Sequence, residues 1–186
     1  MRKVKIVIAL AVLIAVIYFI LIYTGQMTGT VVDAETGKPI DGAVVLIEWT
    51  MTKGFGLTYT ISYKVKEKVT DKNGQFTVYG VLNPFANEPD LTIYKKRYVA
   101  WSSRWIFPDW RNRSNFKWGD QVFELKQFKD TYSYVDHDGF IGRSINDTIG
   151  WKDKKVFMKT YCDAEESLII RERSERDKKR HDGLSK

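Results

Sequence analysis

Two histidines, one cysteine and 23 acidic residues are the material this 186-residue chain offers for metal binding or acid–base chemistry. His137 stands between Asp136 and Asp138, and an imidazole flanked by carboxylates is a composition used by metal sites and proton relays. Three consecutive loop residues seldom converge on one ion, and residues 130–142 are polar and turn-like. The expectation is therefore a solvated turn. Asp71-Lys72-Asn73-Gly74 holds part of a calcium-loop pattern but lacks the alternating acidic series and the closing glutamate, which leaves a β-turn. No H-x-x-E pair, no phosphate-cradling glycine loop and no serine in a nucleophile motif occurs. Cys162 has no second cysteine in its chain, so it is expected as a half-buried, inert thiol. Asn112-Arg113-Ser114 and Asn146-Asp147-Thr148 match the glycosylation sequon, a short pattern that recurs by chance. These residues predict a protein that binds and does not catalyse, with no metal and no cofactor.

The densest candidate for binding is the stretch 99–118, VAWSSRWIFPDWRNRSNFKW. It carries Trp101, Trp105, Trp110 and Trp118, four of the six tryptophans, interleaved with Arg104, Arg111, Arg113 and Lys117. Trp101, Trp105, Trp110, Arg111 and Trp118 form the candidate ligand surface. Three readings stay open. The aromatics can cap the end of the fold with arginines stacked on their faces. They can form a platform for sugar rings. They can rest on a headgroup layer.

Around this stretch the chain is organised by residues 28–45, TGTVVDAETGKPIDGAVV. Thr30, Val31 and Val32 suit a strand. Asp33 opens a turn, Gly37 supplies a backbone angle other residues resist, and Asp41-Gly42 turns the chain again before a second apolar run. TDKNGQF at 70–76 repeats the strand-turn-strand pattern. Candidate strands cover 28–33, 43–51, 57–70, 75–81, 91–98, 99–106 and 121–128. The reading is mainly β: an antiparallel β-sandwich of about seven strands with Greek-key connections.

The pattern G-x-V-V-D-x-x-T-G-x-P-I-x-G-A-x-V followed by T-D-x-x-G-x-F resembles the carboxypeptidase regulatory-like domain, a prealbumin-like (transthyretin-like) sandwich. The matching positions are Gly29, Val31, Asp33, Thr36, Gly37, Pro39, Ile40, Gly42, Ala43, Val45, Thr70, Asp71, Gly74 and Phe76. The likeness extends over roughly residues 26–128. It implies an accessory or binding module and brings no catalytic residues. The segment between Trp49 and Thr70 is longer than a hairpin needs and is expected as an extended hairpin around Lys53-Gly54-Phe55-Gly56.

The two ends differ from the middle. Arg2, Lys3 and Lys5 precede an uncharged run at 6–23, in which 13 of 18 residues are Ile, Val, Leu or Phe. That length and composition predict a transmembrane helix serving as an uncleaved signal anchor over 1–25. The sandwich at 26–130 is then expected on the periplasmic or extracellular side of a bacterial inner membrane. Residues 131–186 are expected as a loop, a C-terminal helix and a charged, frayed tail from Asp177. In the helix Phe157, Tyr161, Ala164 and Leu168 make one apolar face running from near Trp151 toward Arg176. Net charge is +7. Without the three leader cations it is 27 basic against 23 acidic residues, or +4, a mildly basic body and no nucleic-acid stripe. The partners expected are the membrane through a single span, an envelope protein, and as the alternative an envelope glycan. Nucleic acid is not expected.

Overall fold

The computed structural model describes residues 2–23, 25–114, 116–119, 121–145 and 154–184. In chain order the elements are α1 (Arg2–Tyr23), β1 (Gln26–Asp33), β2 (Val44–Lys53), β3 (Tyr59–Val69), β4 (Gln75–Tyr79), β5 (Asp90–Tyr94), β6 (Trp101–Ser102), β7 (Trp105–Ile106), β8 (Arg111–Asn112), β9 (Gln121–Leu125), α2 (Tyr134–Ser144) and α3 (Lys155–Leu184). Three layers result. One sheet has the order β4-β1-β9, the second β3-β2-β5-β6, and β7 with β8 forms a small separate hairpin. Helices α2 and α3 cover the outer face of the second sheet.

β2 explains why the layers stack. Its sequence, VVLIEWTMTK, is nearly continuously apolar, and its first seven residues are buried. Successive side chains of a strand point to opposite faces. Val45, Ile47 and Trp49 enter the core between the two sheets, with Val31, Phe76, Val78, Ile93, Phe123 and Leu125. Val44 and Leu46 enter a second core with Tyr94, Phe140, Phe157 and Tyr161 from the opposite side. A strand apolar on both faces must be covered on both. The helical layer is thus integral to the fold.

The turns follow from local chemistry. Gly37 and Gly42 lie at φ +66° and +69°, the left-handed region that costs glycine little. Gly29 has a different task. A Cβ there would stand 2.4 Å from the Phe123 ring and 2.9 Å from Phe76, two rings whose centroids are 5.7 Å apart. The absent side chain is what lets both aromatics meet over β1. The β2–β3 hairpin is long, as the spacing predicts, and its tip leaves Phe55 and Leu57 wholly exposed.

Four expectations need correction. The anchor is the first. α1 is helical over Arg2–Tyr23, but among the described residues no helix is long and apolar enough to cross a membrane. The side chains described on α1 run from Val4 to Tyr18, 15 residues. That is about 22 Å of helix against about 30 Å of hydrocarbon. The architecture is therefore a β-sandwich with a helical flank, and the transmembrane helix and signal anchor drop out of it.

Second, the sandwich is not wholly antiparallel. β9 pairs with β1 in parallel, Gly29 opposite Gln121 through Asp33 opposite Leu125. Third, only the start of residues 130–142 is a turn, and from Tyr134 the chain is helical. Ser133 caps α2 by accepting the Asp136 amide at 3.0 Å, and Glu172 of α3 accepts the Tyr134 amide at 2.8 Å. Fourth, the charged tail is helical through Leu184. The start expected near Trp151 lies outside the described residues, as does the second sequon at Asn146. At the N-terminus of α3, Glu67 of β3 accepts the Val156 and Phe157 amides at 3.0 and 2.7 Å. Both helices are thus pinned by carboxylates from neighbouring elements, where the helix dipole favours negative charge.

Candidate functional site

Two constellations with chemical potential emerge, one sealed and one open. The sealed one is centred on His137. α2 turns it inward, opposite to the expected solvated turn, because its helical neighbours Phe140, Ile141 and Ser144 share the buried face. His137 is fully buried among the rings of Phe107, Phe128 and Phe140, at centroid distances of 5.3, 5.1 and 6.3 Å. The Ala100 amide donates to Nε2 at 2.9 Å. Nε2 is therefore the acceptor and Nδ1 carries the proton, which it donates to Glu165 Oε2 at 2.9 Å. Glu165 Oε1 accepts the Tyr94 hydroxyl at 2.8 Å.

Burial first, then the Glu165 charge and its hydrogen bond, pushes the Tyr94 hydroxyl far above its ordinary range, so it remains a donor. Tyr, Glu and His in one hydrogen-bonded row have the composition of an acid–base site. Yet Glu165 is only 3% exposed and His137 0%. No substrate reaches either. The row joins β5, α3, α2 and the segment before β6, and its work is to hold the helical layer on the second sheet. Asp138, the neighbour of His137, accepts the Tyr161 hydroxyl and pairs with Arg173 at 2.6 Å. Among the described residues no group of three or more His, Cys, Asp or Glu side chains could hold a metal. Cys162 is half-buried on α3, and burial pushes its thiol up.

The open constellation adjoins the same core, since Ala100 and Phe107, which both touch His137, also line it. The chain leaves β5 through the Lys95–Tyr98 turn, and the backbone of residues 97–99 is tied to 126–128. Val99 N–H donates to Lys126 O and Phe128 N–H to Arg97 O, each at 2.8 Å. Upstream of that junction, β6 and the β7–β8 hairpin diverge from β9 and leave a cleft of about 410 Å³. Trp101, Phe107 and Phe116 provide its aromatic lining, and Arg111, Arg113 and Lys126 its cations. Val122 and Glu124 line it from β9. The Arg113 guanidinium lies 4.3 Å from the Trp101 ring centroid, and its Nε donates to Ser102 O at 2.7 Å. Burial lowers its pKa. Arg111 is exposed and pairs with Asp109 at 3.1 Å. Such a site suits a ligand with apolar body and anionic groups.

The five residues of the candidate surface do not share one plane. Trp101 packs edge-on against Phe116 and Phe123 at 5.5 and 4.9 Å and shares the cleft with Arg111. Trp118 meets Phe116 at 5.0 Å and lines a separate hollow with Trp49. Trp105 and Trp110 belong to the helix-side core, under Arg143, whose guanidinium is 5.7 and 5.0 Å from their ring centroids. Trp110 takes φ +58° and meets Phe140 at 5.9 Å. The capping arrangement is what these two show. The cleft contribution of Val122, Glu124 and Lys126 was hidden in the sequence, because nothing there reveals that β9 ends its sheet.

A third polar centre lies beside the junction of residues 97–99 with 126–128, through Tyr98 and Gln127. Asp33 closes β1, and its Oδ1 accepts the Glu35 and Thr36 amides at 2.9 and 2.7 Å. Its Oδ2 accepts the Tyr98 hydroxyl at 2.9 Å and the Gln127 amide at 3.0 Å. Gln127 first and the Thr36 amide next hold the carboxyl well below its ordinary 3.8. A folded pKa below the unfolded one adds stability that is complete above the unfolded value and is lost as pH falls through the folded one. Asp33→Asn is therefore expected to lower stability at pH 7 and to flatten the loss that the wild type shows below about pH 4. Urea midpoints measured from pH 7 to pH 2 check this, and parallel curves for the two proteins would refute it.

No protein-family model and no curated protein matches the chain. Among solved structures, the C-terminal domain of the shaft pilin SpaA from Lactobacillus rhamnosus GG is 13% identical, with a TM-score of 0.32 over 55% of this chain and 97% of that one. A 9R-lipoxygenase from Cyanothece is 16% identical, with a TM-score of 0.31 over 60% of this chain. This chain spans 18% of the lipoxygenase. Both likenesses are too loose to carry function or detailed topology. The β-sandwich stands on the strand order described above.

Proposed function

We propose that this chain is a non-catalytic accessory protein built on a carboxypeptidase regulatory-like, prealbumin-like sandwich, and that it grips a protein partner at the cleft between Trp101 and β9. The observation that supports this reading is the division of chemistry in the fold. The Tyr94–Glu165–His137 row has reactive groups and no access, whereas the cleft has access, aromatic surface and cations, and its lining pairs one carboxylate, Glu124, with no histidine, cysteine or serine among the described residues. The family assignment is favoured by the TGKPIDGA and TDKNGQF turns, whose Gly37, Gly42 and Gly74 lie at positive φ. Open aromatic surface beside arginine is the composition that protein interfaces favour.

A photo-crosslinking amino acid placed at Arg111, in the protein's native host, tests the reading. A discrete protein adduct is expected from position 111 and none from the distant turn position Lys72. Equal adduct patterns from both positions, or adducts to polysaccharide alone, would overturn it.

A further inference from the structure

We infer that the partner is held as an extended, acidic polypeptide segment that adds as a strand to the free edge of β9. This rests on the binding reading of the cleft and specifies the geometry and chemistry of what enters it.

The first ground is the backbone. β9 is the last strand of its sheet. Leu125 O accepts the Ala34 amide at 2.9 Å, on the β1 side, while Lys126 O accepts the Val99 amide at 2.8 Å on the other. Peptide groups of successive strand residues point to alternate sides. Residues 121, 123 and 125 therefore bond to β1, and the N–H and C=O groups of Val122 and Glu124 face the cleft. Among the described residues neither has a backbone partner on that side. An edge with unpaired backbone groups is a template for another strand, and strand addition is a recurrent way to bind an extended peptide. The Val99–Lys126 junction closes one end of the edge and fixes where an added strand must stop.

The second ground is charge and surface. Arg111, Arg113 and Lys126 face the cleft against one carboxylate, Glu124. Arg111 already has Asp109. Arg113 uses Nε for Ser102 O and stands over the Trp101 ring, which leaves its terminal nitrogens for a carboxylate. Lys126 is exposed. Alternate residues of an added strand point to the same side, so carboxylates at every second position suit the cationic rim, and apolar residues between them suit Trp101, Phe107 and Phe116.

The test uses the full chain and a blocked heptapeptide, TEVEVET, read by tryptophan fluorescence and by amide exchange. Saturable binding with slowed exchange at Val122 and Glu124 is expected. A charge-reversed TKVKVKT is expected to bind about tenfold more weakly. Val122→Pro removes the outward N–H without touching the β1 pairing, and proline is tolerated at that side of an edge strand. It should weaken TEVEVET about tenfold, whereas Val122→Thr, which keeps the N–H, should not. Lys126→Glu, at an exposed side chain, should weaken it as well. Equal affinity for Val122→Pro and Val122→Thr would overturn strand addition. Equal binding of the two peptides would overturn the acidic preference. Binding of an oligoglucuronate with no binding of either peptide would overturn the proposal in favour of a glycan. A crosslinked protein at Arg111 combined with failure of all peptides leaves the accessory reading standing and removes only this mode.

Discussion

Glu165→Ala is expected to destabilise the fold by about 3–5 kcal/mol. The carboxylate is the common acceptor for the Tyr94 hydroxyl and His137 Nδ1–H. Truncation leaves two donors unsatisfied in a region where Tyr94 and His137 are both 0% exposed. Each orphaned buried donor costs about 1–3 kcal/mol, and the space left by the side chain adds to that. Glu165→Gln keeps the volume and one acceptor but turns an amide N–H toward a donor, so its loss is expected to be smaller but real. Urea unfolding gives the numbers. The pattern of loss is as telling as its size: amide exchange should rise first in α2 and α3, because the row joins those helices to β5. A change below about 1 kcal/mol would mean that the row does not hold the layers together.

The second large effect is expected at Lys154. Its Nζ lies 3.3 Å from Glu48 Oε2, and both side chains are 3% exposed. Glu48 also accepts the Ser62 hydroxyl. It sits on β2 at the position after Ile47, on the face that Val44 and Leu46 present to the helices. A charge there is retained because a counter-charge and a hydroxyl donor meet it. Lys154→Met keeps the stem and removes the ammonium, leaving a buried carboxylate short of its counter-ion, and is expected to cost about 3–5 kcal/mol. The pair is not equivalent to two independent stabilising groups. Glu48→Leu combined with Lys154→Met removes both charges together and is expected to cost clearly less than the sum of the two single changes. A double variant as unstable as the sum of the singles would contradict this account of the pair.

These two features mark the limit of what the sequence makes visible. The turns were legible from Gly37, Asp41-Gly42 and the Asp71–Gly74 run, and β2 was legible as a strand-like apolar run after the Asp41-Gly42 turn, although its cover on both faces was not. The long hairpin after Trp49 followed from spacing alone. α3 was legible from the apolar period of Phe157, Tyr161, Ala164 and Leu168, but that period does not count Glu165 and Glu172, whose partners Tyr94, His137 and Tyr134 lie on other elements.

α2 was missed because its buried face includes His137 and Ser144, which a hydrophobic period does not count. The spacing of Ser133 and Asp136 was a capping signal within reach. The parallel pairing of β9 with β1 joins residues about ninety positions apart and leaves no local trace. The tail from Asp177 read as frayed because it has no apolar face. In the fold it continues α3, whose exposed charges pair along the helix, Glu172 with Arg176 at 2.8 Å and Arg171 with Glu175 at 4.0 Å. The anchor was read from length and composition alone, and the described part of α1 falls short of that reading.

The candidate surface shows the same division. Trp101 and Arg111 were found by composition, since aromatics beside arginine stand out in any sequence. That Trp105 and Trp110 turn toward α2 depends on a helix the sequence had hidden. That Val122 and Glu124 present their backbone to the cleft depends on the strand order.

The central claim is that the Tyr94–Glu165–His137 row is sealed and serves as a clamp. Diethyl pyrocarbonate, which acylates accessible imidazole, tests it directly on the native full chain with peptide mapping of the two histidines. His181 is exposed on α3 and His137 is fully buried. The account requires that His181 react readily and that His137 stay unmodified until the protein is unfolded. Modification of His137 at a rate like that of His181 in the folded protein would show the row open to solvent and would contradict the account.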